Sequence, residues 1–239
     1  MAGCTGAAIG GGFPARTGGG LAGKRRRPYR RLMTRLLLIS GSTRDDSLQT
    51  AALRTAVRFA PPEVTATLYD ALGVLPAFVP GRPKPPGSAA LLRQVVAASD
   101  AILFCTPQYA GSLPGSLKNL LDWLVDGGDL TGKAVAWLSV SAPSQDDGAH
   151  TMLETVLAHA GARLQRPACI RIPLPPSAIG PDGIITEPQL HMAVTDVLAA
   201  LSRIVAPARP QPSWQAYSSL YPVVTPPETR PRWPWRQDR

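Results

Sequence analysis

Between residues 34 and 205 the apolar positions switch repeatedly between two spacings. Leu36–Ser40 is a short continuous apolar run, the pattern of a strand buried on both faces of a parallel sheet. Residues 47–59 take up helical spacing, with Leu48, Ala51, Ala52 and Thr55 on one face and Arg54 and Arg58 outside it. Asp46 and Ser47 are the N-cap candidates of that helix. Val64–Tyr69 alternates and carries β-branched residues, which predicts a second strand. Five prolines between Pro76 and Gly87 predict a long loop. Residues 88–99 read as a helix and Ala101–Thr106 as a third strand. From Ser116 to Val125, Leu117, Leu120, Leu121 and Leu124 form one helical stripe. Trp123 falls off that stripe, as either a partly covered surface residue or an oligomer contact. Lys133–Val140 reads as a fourth strand, 147–162 as a helix and Arg166–Ile172 as a fifth strand. An irregular Pro/Gly insert over 173–188 and a closing helix over 189–204 complete the pattern.

Strands alternating with helices predict an α/β three-layer sandwich, a five-stranded parallel sheet with helices on both faces and right-handed crossovers. In the flavodoxin-like strand order, 2-1-3-4-5, ligands bind outside the carboxyl ends of the first and third strands, where the order reverses. The two loops richest in chemistry leave those two strands. The first, Gly41–Gln49, offers backbone N–H groups from Ser42 to Arg44, the hydroxyls of Ser42, Thr43 and Ser47, and the Arg44 guanidinium, all ahead of a helix N-terminus. That combination suits a phosphate, and Gly41 permits close backbone approach. Taken alone, the segment reads first as an ordinary polar strand-to-helix turn. It contains neither the nucleoside-triphosphate loop G-x-x-x-x-G-K-[ST] nor the dinucleotide fingerprint G-x-G-x-x-G. The second loop, Thr106–Gly115, holds two prolines and two glycines, so its backbone is shaped and can present peptide groups to a flat ring.

Charge adds a division of the chain. The net charge of +9 sits outside the middle: residues 1–33 carry seven Lys/Arg and no Asp/Glu, while 206–239 carry five Arg against Glu228 and Asp238. The 172 residues between are nearly neutral, with 13 basic and 14 acidic residues, so no basic face and no specific nucleic-acid partner is expected. The Gly/Arg-rich arm of 1–33 and the Pro/Arg-rich tail of 206–239 are expected to be disordered around one domain at 34–205. Met33 is a natural start for a strand-first domain, which makes residues 1–32 an overextended start or a dispensable arm. Cys4, Cys105 and Cys169 form no metal or disulfide pattern, and the last two fall within predicted strands as small hydrophobes. No apolar run approaches the roughly 18 residues that cross a bilayer. A cytoplasmic location without membrane attachment is expected.

The paired loops resemble the NADPH-dependent FMN reductase family of flavodoxin-like proteins, which includes quinone, chromate and azo-dye reductases. The first family signature, G-S-x-R-x-x-S-x-N, stands here as Gly41–Gln49; Ser42, Arg44 and Ser47 match, and Gln49 replaces Asn. The second, T-P-E-Y-N-x-S/G-x-P-G-x-L-K-N, runs from Thr106 to Asn119, with Gln108 in place of Glu and Ala110 in place of Asn. The resemblance covers roughly 35–205. It implies that Ser42, Thr43, Arg44, Ser47 and Gln49 hold the phosphate of FMN. It implies also that Pro107, Gln108, Tyr109, Ala110, Gly111 and Ser112 meet the isoalloxazine and ribityl groups, with Ser141 contributing from a third loop. That third loop is usually glycine-rich, and here it reads Ser139-Val140-Ser141-Ala142-Pro143-Ser144-Gln145-Asp146-Asp147-Gly148. Asp146 and Asp147 are expected to be a cap and a first-turn charge of the next helix. Lys118 and Asn119 are expected to support the second loop.

The resemblance further implies a ping-pong oxidoreductase. NADPH or NADH gives hydride to the flavin and leaves, and a small-molecule acceptor such as a quinone then takes the electrons. A homodimer or homotetramer is expected. No catalytic acid or base and no metal is expected; His150, His159 and His191 lack ligand or triad spacing and are expected to be surface or structural. The alternatives are a flavodoxin-like electron carrier or flavin-binding regulator without turnover, and a fold that has lost its flavin. The nearly neutral core argues against the first, since such carriers are strongly acidic.

Overall fold

The computed structural model describes residues 33–206. The arm expected over 1–33 lies outside the described residues except for Met33, and the tail expected over 206–239 except for Ala206. Between them, strands β1 (Thr34–Ser40), β2 (Val64–Tyr69), β3 (Ala101–Cys105) and β4 (Ala134–Ser139) alternate with helices α1 (Leu48–Arg58), α2 (Gly87–Ala98) and α3 (Gly115–Asp126). Helix α4 (Asp147–His159), the short strands β5 (Arg163–Leu164) and β6 (Ile170–Arg171), and helix α5 (Pro188–Val205) follow. All pairings are parallel and the order is β2-β1-β3-β4-β5, the flavodoxin-like order.

The continuous apolar run in β1 serves two layers at once. Leu36 and Leu38 pack with Leu53 of α1 and Leu198 of α5 on one face. Leu37 and Ile39 pack with Leu92, Leu117, Leu121 and Leu153 of α2, α3 and α4 on the other. Period-two alternation inside the apolar run Leu36–Ile39 is what two covered faces demand, and burial of each such side chain stabilises by about 1.5–3 kcal/mol.

Four expectations need correction. The fifth strand expected over Arg166–Ile172 is two short ladders: β5 pairs with Ala134 and Val135, β6 pairs with Leu138 and Ser139, and a 3-10 turn over Arg166–Ala168 lies between. Pro167 is the cause, because it has no N–H to donate to β4 and its fixed φ suits the turn. Cys169, expected within a strand, closes that turn, half-buried. Trp123 is neither a surface residue nor an oligomer contact. It is 1% exposed, meets Phe78 edge-on at 5.0 Å, and donates its indole N–H to the Pro76 carbonyl at 3.0 Å. Asn119 also holds that proline-rich segment, rather than the second loop: its amide N–H donates to the Pro76 carbonyl and its oxygen accepts the Phe78 N–H. The buried side of α3 is therefore wider than its leucine stripe, because a loop covers it.

Candidate functional site

The sheet order reverses between β1 and β3, and the two strands end side by side. Ser40 stands opposite Cys105, and the Gly41 N–H donates to the Cys105 carbonyl at 2.8 Å. Gly41 makes this possible: a Cβ there would stand 2.2 Å from Thr106 Oγ1 and 2.7 Å from Thr106 Cβ. Its missing side chain thus lets the first two loops leave the sheet in contact.

A chain of hydroxyls shapes the first loop. Ser40 Oγ accepts the Ser42 N–H at 3.2 Å, and Ser42 Oγ accepts the Arg44 N–H at 3.1 Å. Ser47 is the N-cap of α1, accepting the Thr50 N–H at 3.1 Å while its hydroxyl donates to Thr50 Oγ1 at 2.8 Å. Asp46, the other cap candidate, instead receives both Nε and Nη2 of Arg44, at 3.1 and 3.0 Å. That bidentate pairing raises the Arg44 pKa and holds Asp46 below the usual carboxylate value. Both side chains are more than two-thirds exposed, so the pair is weak and Arg44 can exchange its partner for an anion. Among the described residues, the amides of Thr43 and Asp45 donate to no group of the chain, and those of Leu48 and Gln49 are the open first-turn donors of α1. Ser42 and Gln49 are buried, whereas Thr43 and Arg44 are exposed.

Beside this turn lies a cavity of about 150 Å³ lined by Ser42, Thr43, Arg44, Arg54, Tyr69 and Asp70. Tyr69 is 8% exposed, and its buried hydroxyl has no hydrogen-bond partner among the described residues. Arg54 donates to the Asp45 carbonyl at 2.8 Å, bringing a second cation to the turn. Sequence reasoning placed Arg54 outside the core and missed it; its distance of two helical turns from Ser47 is the signal that it shares the cap's side.

The second loop is a tight turn. Tyr109 and Ser112 exchange backbone hydrogen bonds in both directions at 3.0 Å, while Ala110 (φ 48°) and Gly111 (φ 75°) both occupy the left-handed region. Two positive φ values in succession define a type I′ turn, which favours Asn-Gly. Pro107, Gln108 and Ser112 are half-buried and Tyr109, Ala110 and Gly111 are exposed, so the turn projects from the sheet end. Gln108 Oε1 accepts the Ala149 N–H at 3.0 Å, capping the first turn of α4. At Gly148 a Cβ would meet the Gly111 carbonyl oxygen at 2.2 Å. The second loop and the start of α4 are therefore one packed unit.

The third loop joins that unit, though not in the way its aspartates suggest. Asp147 is a first-turn charge of α4, but Asp146 makes no capping bond and its side chain is 1% exposed. Its carboxylate accepts from Ser139 Oγ at 2.6 Å, Arg171 at 2.5 Å and His150 Nε2 at 3.1 Å. Burial pushes the Asp146 pKa up, but these partners outweigh it and bring the net value below the ordinary one. His150 is structural: its ring lies 4.2 Å from that of Trp137, and burial lowers its pKa. Ser141 is half-buried in this loop. Cys105 is fully buried with its pKa driven up, so it is no nucleophile. Among the described residues no group of His, Cys, Asp and Glu could hold a metal ion.

Three comparisons fit this geometry. Over 113 residues the chain is 37% identical to an NAD(P)H-dependent FMN reductase of Pseudomonas aeruginosa, covering 45% of this chain and 60% of that protein. Over 90 residues it is 32% identical to a 2-hydroxy-1,4-benzoquinone reductase of Burkholderia, covering 37% and 49%. The chain thus spans about half to three-fifths of the length of these two curated relatives. Its fold superposes with a TM-score of 0.61 on FerB, a flavoenzyme NAD(P)H:(acceptor) oxidoreductase of Paracoccus denitrificans, at 24% identity over 72% of this chain and 97% of that one. Residues 34–171, more than half of the chain, match the family model described as NADPH-dependent FMN reductase, and the chain belongs to that family.

Proposed function

We propose that this chain is an FMN-dependent NAD(P)H oxidoreductase that passes electrons to a quinone or a similar small acceptor. The observation that carries the reading is the meeting of two loops at the switch point, with Gly41 packed against Thr106. The residues fit FMN. Open amides, two arginines and the orphaned Tyr69 hydroxyl gather at one end, as a phosphate requires. A projecting type I′ turn of peptide groups stands at the other end, as a planar ring requires. Ser42, Thr43, Arg44, Ser47 and Gln49 hold the phosphate in this reading; Pro107, Gln108, Tyr109, Ala110, Gly111, Ser112 and Ser141 border the ring and ribityl chain. FMN, when bound, supplies the hydride and electron chemistry. The chain's own residues would orient the cofactor and neutralise its phosphate, and no protein acid or base is assigned to the exchange.

The name of one of these relatives, the 2-hydroxy-1,4-benzoquinone reductase, supports a quinone-like acceptor. Among the described residues no helix is long and apolar enough to cross a membrane. We place the chain in the cytoplasm, where NADPH is supplied and Cys105 and Cys169 stay reduced. The exposed apolar Val74 and Val79, flanking the segment pinned to α3, support a homodimer or homotetramer. The deciding experiment is the visible spectrum of the purified chain with FMN, before and after NADPH or NADH. Bleaching of the flavin bands within seconds, reversed by a quinone, is expected. Bound flavin that neither nucleotide reduces would assign an electron carrier instead.

A further inference from the structure

We propose that Arg171 is the positioning residue that fixes the third loop, and through it the ring side of the site. The proposal rests on the flavin reading above. Neither sequence signature includes Arg171; it arrives on β6, the two-residue strand left after Pro167 breaks the fifth strand. From there its guanidinium reaches four groups of the third loop and the α4 start. Nη1 donates to Asp146 Oδ1 at 2.5 Å, to the Ala142 carbonyl at 3.1 Å and to the Ser141 carbonyl at 3.5 Å. Nη2 donates to Asp147 Oδ1 at 2.7 Å.

The loop needs such a tie. Ser144, which carries a side chain, sits at φ 68°. Residues held in the left-handed region persist only where their surroundings fix them. Within the loop a single backbone bond, Gln145 N–H to the Ala142 carbonyl at 3.1 Å, helps to close the turn. The Asp146 carboxylate supplies the rest by pointing inward, where Ser139, His150 and Arg171 together hold it charged against burial, Arg171 being the one of the three that reaches it from β6. A buried carboxylate deprived of its cation is strongly unfavourable. Loss of Arg171 would therefore turn Asp146 out to water and take the loop with it.

The disturbance has a defined path. Asp146 is followed directly by the first turn of α4, where Ala149 is bonded to Gln108 and Gly148 touches the Gly111 carbonyl. Gln108 and Gly111 belong to the loop assigned to the ring. The first loop takes no part in this network, so the phosphate end should be unaffected. Arg171 also neutralises two carboxylates, Asp146 and Asp147, next to the unit that carries the ring loop, so its loss would leave negative charge there against an anionic nicotinamide nucleotide. Lysine replaces it only in part, since an ammonium with three donors cannot make four bonds to two carboxylates and two carbonyls.

The test compares the unaltered chain with Arg171→Met, Arg171→Lys and the milder Asp147→Asn, whose side chain is largely exposed. Flavin-fluorescence quenching gives the affinities for FMN and riboflavin, amide hydrogen exchange reports residues 141–149, and steady-state kinetics separate KM for NAD(P)H from kcat. Arg171→Met is expected to weaken FMN and riboflavin by the same factor, about tenfold, and to speed exchange across 141–149 but not 43–47. KM should rise more than kcat falls, with Arg171→Lys intermediate and Asp147→Asn changing each quantity two- to threefold. Flavin affinities unchanged in a folded Arg171→Met chain, or a loss confined to FMN, would overturn the proposal. If Arg171→Met does not fold, an Asp147→Asn chain with wild-type exchange and KM overturns it. Failure of the unaltered chain to take up either flavin would overturn the functional reading and this proposal together.

Discussion

Ala110→Asn tests the geometry of the second loop. Ala110 occupies φ 48° as the first central residue of a type I′ turn, and its Cβ makes that conformation unfavourable by about 1 kcal/mol. Asparagine tolerates the left-handed region far better, so the substitution removes most of that cost. Glycine removes all of it, but gains chain entropy on unfolding worth about 0.4–1 kcal/mol, which offsets the benefit. Valine, β-branched, makes matters worse. The site is exposed and no neighbour need move, so these backbone terms should dominate. For a domain of this size, 1 kcal/mol shifts the melting temperature by about 2–4 °C. Thermal unfolding followed by circular dichroism should therefore rank Asn above Ala by about 2–4 °C, Gly close to Ala, and Val clearly below. A lower melting temperature for Asn, or no penalty for Val, would refute the turn assignment.

Two other outcomes follow from the same structure. Gly41→Ala places a Cβ against the buried Thr106 and should destabilise by about 1–3 kcal/mol, seen as a fall of several degrees in melting temperature with weakened FMN binding; a wild-type melt would mean the loops are not in contact there. His150 has its folded-state pKa depressed, chiefly by burial, so the unfolded chain binds its proton first and stability should decline as pH falls below about 6.5. The Asp146 contribution, with its folded pKa also depressed, should be lost only lower, as pH passes below the ordinary value of 3.8. Denaturant unfolding from about pH 2.5 to about pH 7.5 checks both, and His150→Gln should flatten the upper part of the decline.

Much of the fold was legible because strand and helix periods differ and every long element obeys one of them. Val64–Tyr69 matched residue for residue, and Ser47 declared the start of α1. The failures share a cause. Pro167, inside an otherwise strand-like run, outweighed the apolar pattern, and Trp123 was misjudged because its cover is a proline-rich loop that periodicity cannot place. The candidate site was legible where its residues are close in sequence, as in the two signature loops. It was not legible where distant residues meet: Tyr69 and Arg54 beside the first loop, Gln108 with Ala149, Arg171 with Asp146. Even Gly41 was legible only in part, since its close neighbour is Thr106, 65 residues away.

In the flavin reading, one molecule lies across the two loops with its phosphate at Ser42–Gln49 and its ring at Pro107–Ser112. Titration of FMN and riboflavin into the unaltered chain and into Arg44→Ala tests it most directly. FMN should bind the unaltered chain at least about tenfold more tightly than riboflavin, and Arg44→Ala should remove most of that difference while leaving riboflavin affinity unchanged. Equal affinity of the unaltered chain for both flavins, or equal losses of both in Arg44→Ala, would contradict the account.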